Sequence, residues 1–285
     1  MPVISGRLSR RRLAPCLALA CAAAFGGTAQ AVGVVFEASS ADVAGLTPTV
    51  DAFRAALGSL NPNVAGSFAS GRREINWDGV PDIRSAPNAL PADFFNVNSP
   101  RGVVFSTPGS GFEVSGKAGV APVEFGDIDP AYPGFFDPFS PQRLFTAIGS
   151  NVVDVTFFVP GSTQATATRG FGAVFSDVDL ADTTSITFFD AGNVALDMRF
   201  VPVSGAANQG FSFLGVDFGT AVVSRVRIVS GNQALAPGAV TGDVVAMDDF
   251  VYGEPIAAVP EPETYALMIV GLAALGALRR RRRPA

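Results

Sequence analysis

Apolar and polar positions in this chain come in short bursts separated by clusters of Gly, Pro, Asn and Asp. Eleven bursts stand out, at residues 102–106, 112–117, 123–125, 144–148, 152–159, 171–178, 185–189, 194–201, 211–218, 222–229 and 244–252. Phe, Val, Thr and Ile dominate them, and their lengths suit strands better than helices. So many strands in one body predict two packed sheets, an all-β β-sandwich of jelly-roll type.

One segment has a helical period instead. Val50, Phe53 and Leu57 fall on one face of residues 48–57. Thr47 stands where a cap belongs, Pro48 fits a first turn and Gly58 suits a left-handed exit. A helix this short is marginal alone, so it is expected at a sheet edge or across one end of the sandwich. Residues 61–100, rich in Pro, Asn, Gly and Ala, read as long loops, and no internal repeat is visible.

Two further apolar runs flank the body. Residues 1–31 hold a basic head of Arg7, Arg10, Arg11 and Arg12, an apolar middle at 13–25, and Ala29-Gln30-Ala31 as a small-residue cleavage site. This is the pattern of a signal peptide, helical in its middle, passed through a Sec translocon and cut by signal peptidase near Val32. Adjacent Arg11 and Arg12 leave a twin-arginine route open, and Cys21 a lipid anchor. No cofactor ligands follow to favour the first, and no leucine stands three residues before Cys21 to favour the second. Cys16 and Cys21 both lie in the leader, so the exported body, residues 32–258, has neither thiol nor disulfide. It is long enough to bury a core without one.

Residues 259–285 make a tripartite tail: Val259, Pro260, Glu261 and Pro262, then an apolar run at 265–278, then Arg279, Arg280, Arg281, Arg282 and Arg283. Prolines a residue apart interrupt a helix, the apolar run predicts a transmembrane helix, and the arginines resist transfer through lipid. The 14-residue run is short, about 21 Å as a helix against about 30 Å of hydrocarbon. Snorkelling arginines and local thinning make up part of the difference, and a weak anchor suits a temporary one.

The order of box, span and arginines resembles the PEP-CTERM sorting signal of Gram-negative bacteria. Glu263 departs from the serine or threonine frequent there. The resemblance implies an exosortase partner that processes the chain around residues 260–262, and a route from transient inner-membrane anchorage to the cell surface, outer envelope or extracellular matrix. Residues 75–82, 99–105, 171–179 and 247–253 look like a group of PEP-CTERM surface proteins, which implies a family and not an activity. The Asp-containing strand at 247–253 also resembles the last strand of galactose-binding-like and carbohydrate-binding β-sandwiches, where an aspartate helps hold a structural calcium.

Charge changes the picture once the ends are set aside. Of 20 basic residues, four belong to the leader and five to the tail, leaving 11; of 25 acidic residues, Glu261 and Glu263 belong to the tail, leaving 23. The body is therefore near −12, which argues against nucleic acid as a partner. With no histidine in the chain and no cysteine in the body, histidine general bases, thiol nucleophiles and ordinary zinc sites are excluded. Carboxylate chemistry and oxygen-ligated calcium stay open.

Three acidic groups carry that chemistry. Asp177 and Asp179 share a strand face at period two and Asp182 follows on a turn, so the three repel unless a cation is shared; calcium is one answer, a solvated strand end the other. Asp127 and Asp129 repeat the spacing. Asp248 and Asp249 are adjacent in a strand, where neighbours point to opposite faces, so one needs a buried partner; Arg225 and Arg227 are expected to supply it if their strands pair. Trp77, beside Asn76 and Asp78, could stack on a sugar or plug the core. Phe94, Phe95, Phe135, Phe136 and Phe139 read as loop anchors.

The leading expectation is a non-enzymatic exported surface or matrix protein with no catalytic residues, binding extracellular polysaccharide with a structural calcium. A carboxylate-based glycosidase or polysaccharide lyase, using two of Glu37, Glu74, Glu113 and Glu124, is the rival. A purely structural, self-associating envelope protein is the third reading.

Overall fold

The computed structural model describes residues 32–239, 241–257, 268–273 and 275. The leader with its Ala29 and Ala31 site, the Val259 to Pro262 box and the arginines from Arg279 to Arg283 lie outside the described residues.

Twelve strands are described: β1 (Val34–Ser40), β2 (Arg72–Ile75), β3 (Val103–Ser106), β4 (Gly111–Val114), β5 (Phe145–Ile148), β6 (Val152–Phe157), β7 (Gly170–Ser176), β8 (Ser185–Phe189), β9 (Ala195–Phe200), β10 (Phe211–Asp217), β11 (Arg225–Val229) and β12 (Ala246–Gly253). They form two antiparallel sheets. The larger runs β1-β10-β7-β12-β5-β4, with β2 also paired to β12; the smaller runs β3-β6-β11-β8-β9. From β5 onward the chain crosses repeatedly between them: β5 lies in the larger sheet, β6 in the smaller, β7 in the larger, β8 and β9 in the smaller, then β10, β11 and β12 alternate.

One apolar cluster fills the space between the sheets. Val155, Phe157, Phe188 and Val226 of the smaller sheet meet Phe145, Phe171, Leu214 and Phe250 of the larger. Aromatic pairs join them, with ring centroids 5.1 Å apart for Phe105–Phe145 and 5.5 Å for Phe157–Tyr252. The architecture is an all-β sandwich.

The helix α1 (Val43–Leu57) explains why β7, β10 and β12 are buried at every position and do not alternate. It covers the outer face of the larger sheet, where its Leu46, Val50, Phe53 and Leu57 pack on Val174, Phe211, Phe213 and Val251. Strands buried on both faces have no polar side to show. Phe53 reaches the sheet because glycine stands below it: Gly172 and Gly215 are cross-strand partners, and a Cβ on either would lie 2.9 or 3.0 Å from the Phe53 ring.

The structure departs from the sequence expectation in several places. The helix begins at Val43, not near Pro48, because Asp42 caps it, its side chain accepting from the Gly45 N–H at 2.8 Å. Thr47 lies inside, donating to the Val43 carbonyl, and Pro48 occupies the second turn. The placement of the helix agrees with the expectation of a sheet edge, for it packs on the edge strand β1 and on β10 beside it. Residues 123–125 form a turn touching Gly116 through one bridge and not a strand, since Glu124 and Phe125 both take positive φ. β1 and β2 were not expected: β1 is a half-exposed edge without clean alternation, and β2, Arg-Arg-Glu-Ile, conceals its strand character behind three charges. The 61–100 segment otherwise holds a short helix, α2 (Phe94–Val97), and a 3-10 turn at Asp82–Arg84. Phe94, Phe95, Phe136 and Phe139 are buried as loop anchors.

Candidate functional site

A recess of about 290 Å³ opens between the smaller sheet and two adjoining loops. Thr156 and Phe157 of β6 and Ser224 and Arg225 beside and in β11 line it, with Ala165 and Thr166 from the loop after β6 and Asp190, Ala191 and Asn193 from the β8–β9 turn. Thr156 and Arg225 are cross-strand partners, which brings the two strands' polar side chains together. Arg225 is fixed on every side: its guanidinium lies 3.8 Å from the centroid of the Phe189 ring and donates to Asp154 Oδ1 and to Asn193 Oδ1, each at 2.5 Å. Asp154 also receives Arg227 at 2.7 and 3.0 Å, so two guanidinium groups hold its carboxyl below the usual range against the opposing effect of burial. Thr166 is 5% exposed and its Oγ1 has no hydrogen-bond partner. The sequence had paired Arg225 and Arg227 with Asp248 or Asp249. That pairing is wrong because β11 and β12 lie in different sheets.

At the end of β7 the carboxyl groups gather differently from the expected trio. Asp177 is 3% exposed at φ 71°, with Oδ1 unpartnered, and burial followed by Asp179 and Asp243 pushes it up to about 8. Asp243 is the third member, accepting from the Asp179 N–H at 3.0 Å and from the Thr183 hydroxyl. Asp182 is exposed on the turn. Asp243 lies more than 60 residues along the chain, so no local spacing could have announced it.

Asp248 and Asp249 sit where the β12–β7 register shifts between Met247 and Phe250. This irregularity cancels the opposite-face rule, and the two carboxyl groups come within hydrogen-bonding reach of each other. Asp248 is fully buried; its Oδ2 accepts from the backbone N–H of Phe139 at 2.6 Å and of Ser140 at 3.1 Å. Asp249 accepts from Arg54 Nη2 at 2.8 Å, and Arg54 also binds Glu74. Burial raises both above the ordinary carboxylate range, Asp248 strongly.

N–H donors occupy Asp248 Oδ2 and the Arg54 guanidinium occupies Asp249 Oδ2, while Asp182 is exposed on its turn and takes no part in the Asp177, Asp179 and Asp243 group. Among the described residues no group of three or more carboxylates is placed to hold a metal ion. Asp129 spends its oxygens on the N–H groups of Ala131 and Gly238, and Asp127 meets Glu113.

Trp77 is not a sugar platform. It is 1% exposed and stacks on Phe145, rings 4.1 Å apart and 3° from parallel, while its Nε1 donates to the Asp248 carbonyl at 3.0 Å. Both faces are taken by core. The four candidate glutamates have separate partners: Glu37 is exposed on β1, Glu74 binds Arg54 and Arg72, Glu113 sits beside Asp127, and Glu124 beside Asp137.

The body ends just before the tail. Residues 268–273 and 275 are helical, with Met268, Ile269, Val270, Leu272 and Leu275 exposed. Among the described residues no helix is long and apolar enough to cross a membrane. Residues 258–283 match the family model of the PEP-CTERM protein-sorting motif. The chain carries a PEP-CTERM sorting signal. That motif marks an exported, exosortase-targeted surface protein, and the match covers the box, the apolar run and the arginines together. No curated protein matches the chain by sequence.

Proposed function

We propose that this is a non-enzymatic surface protein whose sandwich binds glycan, delivered by its PEP-CTERM tail after cleavage of the leader. The match at 258–283 carries the address. Residues 265–278 act as a transient inner-membrane anchor and the arginines hold the terminus on the cytoplasmic side, because dehydrating guanidinium groups is costly. Exosortase then processes the chain near Pro260 to Pro262, leaving the body at the outer envelope or in the extracellular matrix. Strand alternation between the sheets supports the jelly-roll reading, and the hydroxyl-lined recess supports a binding role.

Intact-mass measurement of the surface protein, with binding of the same material to immobilised oligosaccharides, tests this. The expected masses place the ends near Val32 and near 260–262. Recovery of the full translation product from the cytosol would defeat the address, and binding to no glycan would defeat the role.

A self-associating envelope protein is the second reading, favoured by β9. This is an edge strand with Met198 and Phe200 substantially exposed. Light scattering of the purified protein over a concentration series distinguishes it, since a concentration-independent monomer mass would dismiss it.

A further inference from the structure

Resting on the self-association reading above, we infer that β9 pairs with the β9 of a second copy of this chain. The two strands run antiparallel about a two-fold axis at Met198, with Asp197 of each copy opposite Arg199 of the other. The smaller sheet has two edges, β3 and β9. Loop backbone occupies the first, where the Phe105 N–H donates to the Ala92 carbonyl at 2.9 Å. Among the described residues no strand lies beyond β9, and its Met198 and Phe200 are 45% and 44% exposed. An open edge of this kind is a template for another strand.

Backbone direction limits which residues can meet. The Val201 N–H donates to the Thr184 carbonyl just before β8, at 2.9 Å. Partners alternate along an antiparallel ladder, so Arg199 and Asp197 also turn their backbone groups toward β8, while Met198 and Phe200 turn theirs outward. In agreement, the Met198 N–H donates to the side chain of Asp197, Oδ1 at 2.8 Å, and not to β8. Pairing replaces that local bond with one to the Met198 carbonyl of the second copy and frees the carboxylate oxygen.

Charge then selects the register. Outward groups can meet with Met198 opposite Met198, Met198 opposite Phe200, or Phe200 opposite Phe200. The second arrangement sets Arg199 against Arg199, and the third sets it against Val201. Only the first sets Asp197 against Arg199, and the two-fold axis does so twice. These residues then form non-hydrogen-bonded pairs, with Cα atoms about 4.5 Å apart, where opposite charges attract and like charges destabilise. Each Asp197 also holds its own Arg199 at 2.9 Å, so pairing merges two local ion pairs into a network of four charges. On the other face the two Met198 side chains meet, and each Phe200 reaches the second copy's Met198 diagonally. Such a contact is isologous and closes after two copies.

The test is sedimentation of the full chain in detergent over a concentration series, with melting temperature as the folding control. Wild type is expected to give a monomer–dimer equilibrium. Arg199→Asp, which sets two carboxylates against each other at both pairs, should raise the dimer dissociation constant at least tenfold. The exchange Asp197→Arg with Arg199→Asp restores opposite charges and should recover most of the loss. Met198→Pro removes an N–H that β8 does not use and should abolish the dimer. Self-association left unchanged by Arg199→Asp and by Met198→Pro would overturn β9 as the interface while leaving the self-association reading intact. Loss of the dimer with Met198→Pro but not with Arg199→Asp, or no recovery in the charge exchange, would overturn the register and with it the proposal. A wild-type monomer at every concentration would overturn both the proposal and the reading it rests on.

Discussion

Arg73 of β2 and Glu254, just after β12, form a bidentate ion pair sealed from solvent, with Nε to Oε2 at 2.7 Å and Nη2 to Oε1 at 2.8 Å. The pair also organises the loops around it. Arg73 Nη1 donates to the carbonyls of Pro62 at 2.7 Å and Pro100 at 3.0 Å, and Glu254 accepts from Asn61 Nδ2 at 2.7 Å and the Phe68 N–H at 3.2 Å. An irregular stretch is thus tied to the last strand by one charge pair and its hydrogen bonds.

Breaking that pair from one side leaves a buried charge uncompensated. We expect Arg73→Met to lower stability by about 3–5 kcal/mol in urea unfolding. The double variant Arg73→Met with Glu254→Leu should recover part of the loss. A single variant as stable as wild type would contradict the pair's structural weight.

Gly172 and Gly215 test the seating of the helix. Either substitution to alanine pushes a methyl group into the Phe53 ring, and overpacking of this kind costs about 1–3 kcal/mol. A lowered melting temperature is expected for both, with relief when Phe53→Leu is added to Gly215→Ala. Unchanged melting in both alanine variants would mean that α1 does not rest on this part of the sheet.

Acid should stabilise the fold across an unusual window. Burial, followed by Asp179 and Asp243 for Asp177 and by Asp127 for Glu113, pushes both up to about 8; burial, followed by Asp137 for Glu124 and by Asp249 for Asp78, pushes those to about 7 and about 6. All four are raised above their unfolded values near 4, so the folded state keeps protons that the unfolded chain releases. The resulting stability is complete below about pH 4 and is lost as pH rises through 6 to 8. Asp82, Asp129 and Asp154 are lowered and act in the opposite sense, but only below about pH 4. Melting temperature should therefore fall between pH 5.5 and pH 8.5, and Asp177→Asn should flatten the slope. A rise over that interval would contradict the assignment.

Calcium should leave the fold untouched, because Asp248 Oδ2 is taken by two backbone N–H groups and Asp249 Oδ2 by Arg54. Scanning calorimetry with EDTA and with added calcium is expected to give the same transition. A clear upward shift with calcium would restore a metal to the Asp177, Asp179 and Asp243 group.

Much of the sandwich was legible because its strands are dictated locally. Runs such as 211–218 and 244–252 are apolar, β-branched and bounded by turn residues, and they became β10 and β12 with their bounds moved by only one or two residues. β2 was not legible, since Arg72, Arg73 and Glu74 look like surface until Glu254 and Arg54 are placed beside them. The recess had no sequence signature at all. Thr156, Asn193 and Arg225 come from three separated segments that no local spacing joins.

The sequence by itself determined the address, the strand-rich body and the exclusion of histidine chemistry, because these follow from residue type and short-range order. Only the tertiary structure decided who partners whom. Asp249 binds Arg54 and not Arg225, Asp243 joins Asp177 where Asp182 was expected, and Trp77 is spent in the core. Charges and rings choose partners by distance through space, and that distance is fixed only when the two sheets close on each other.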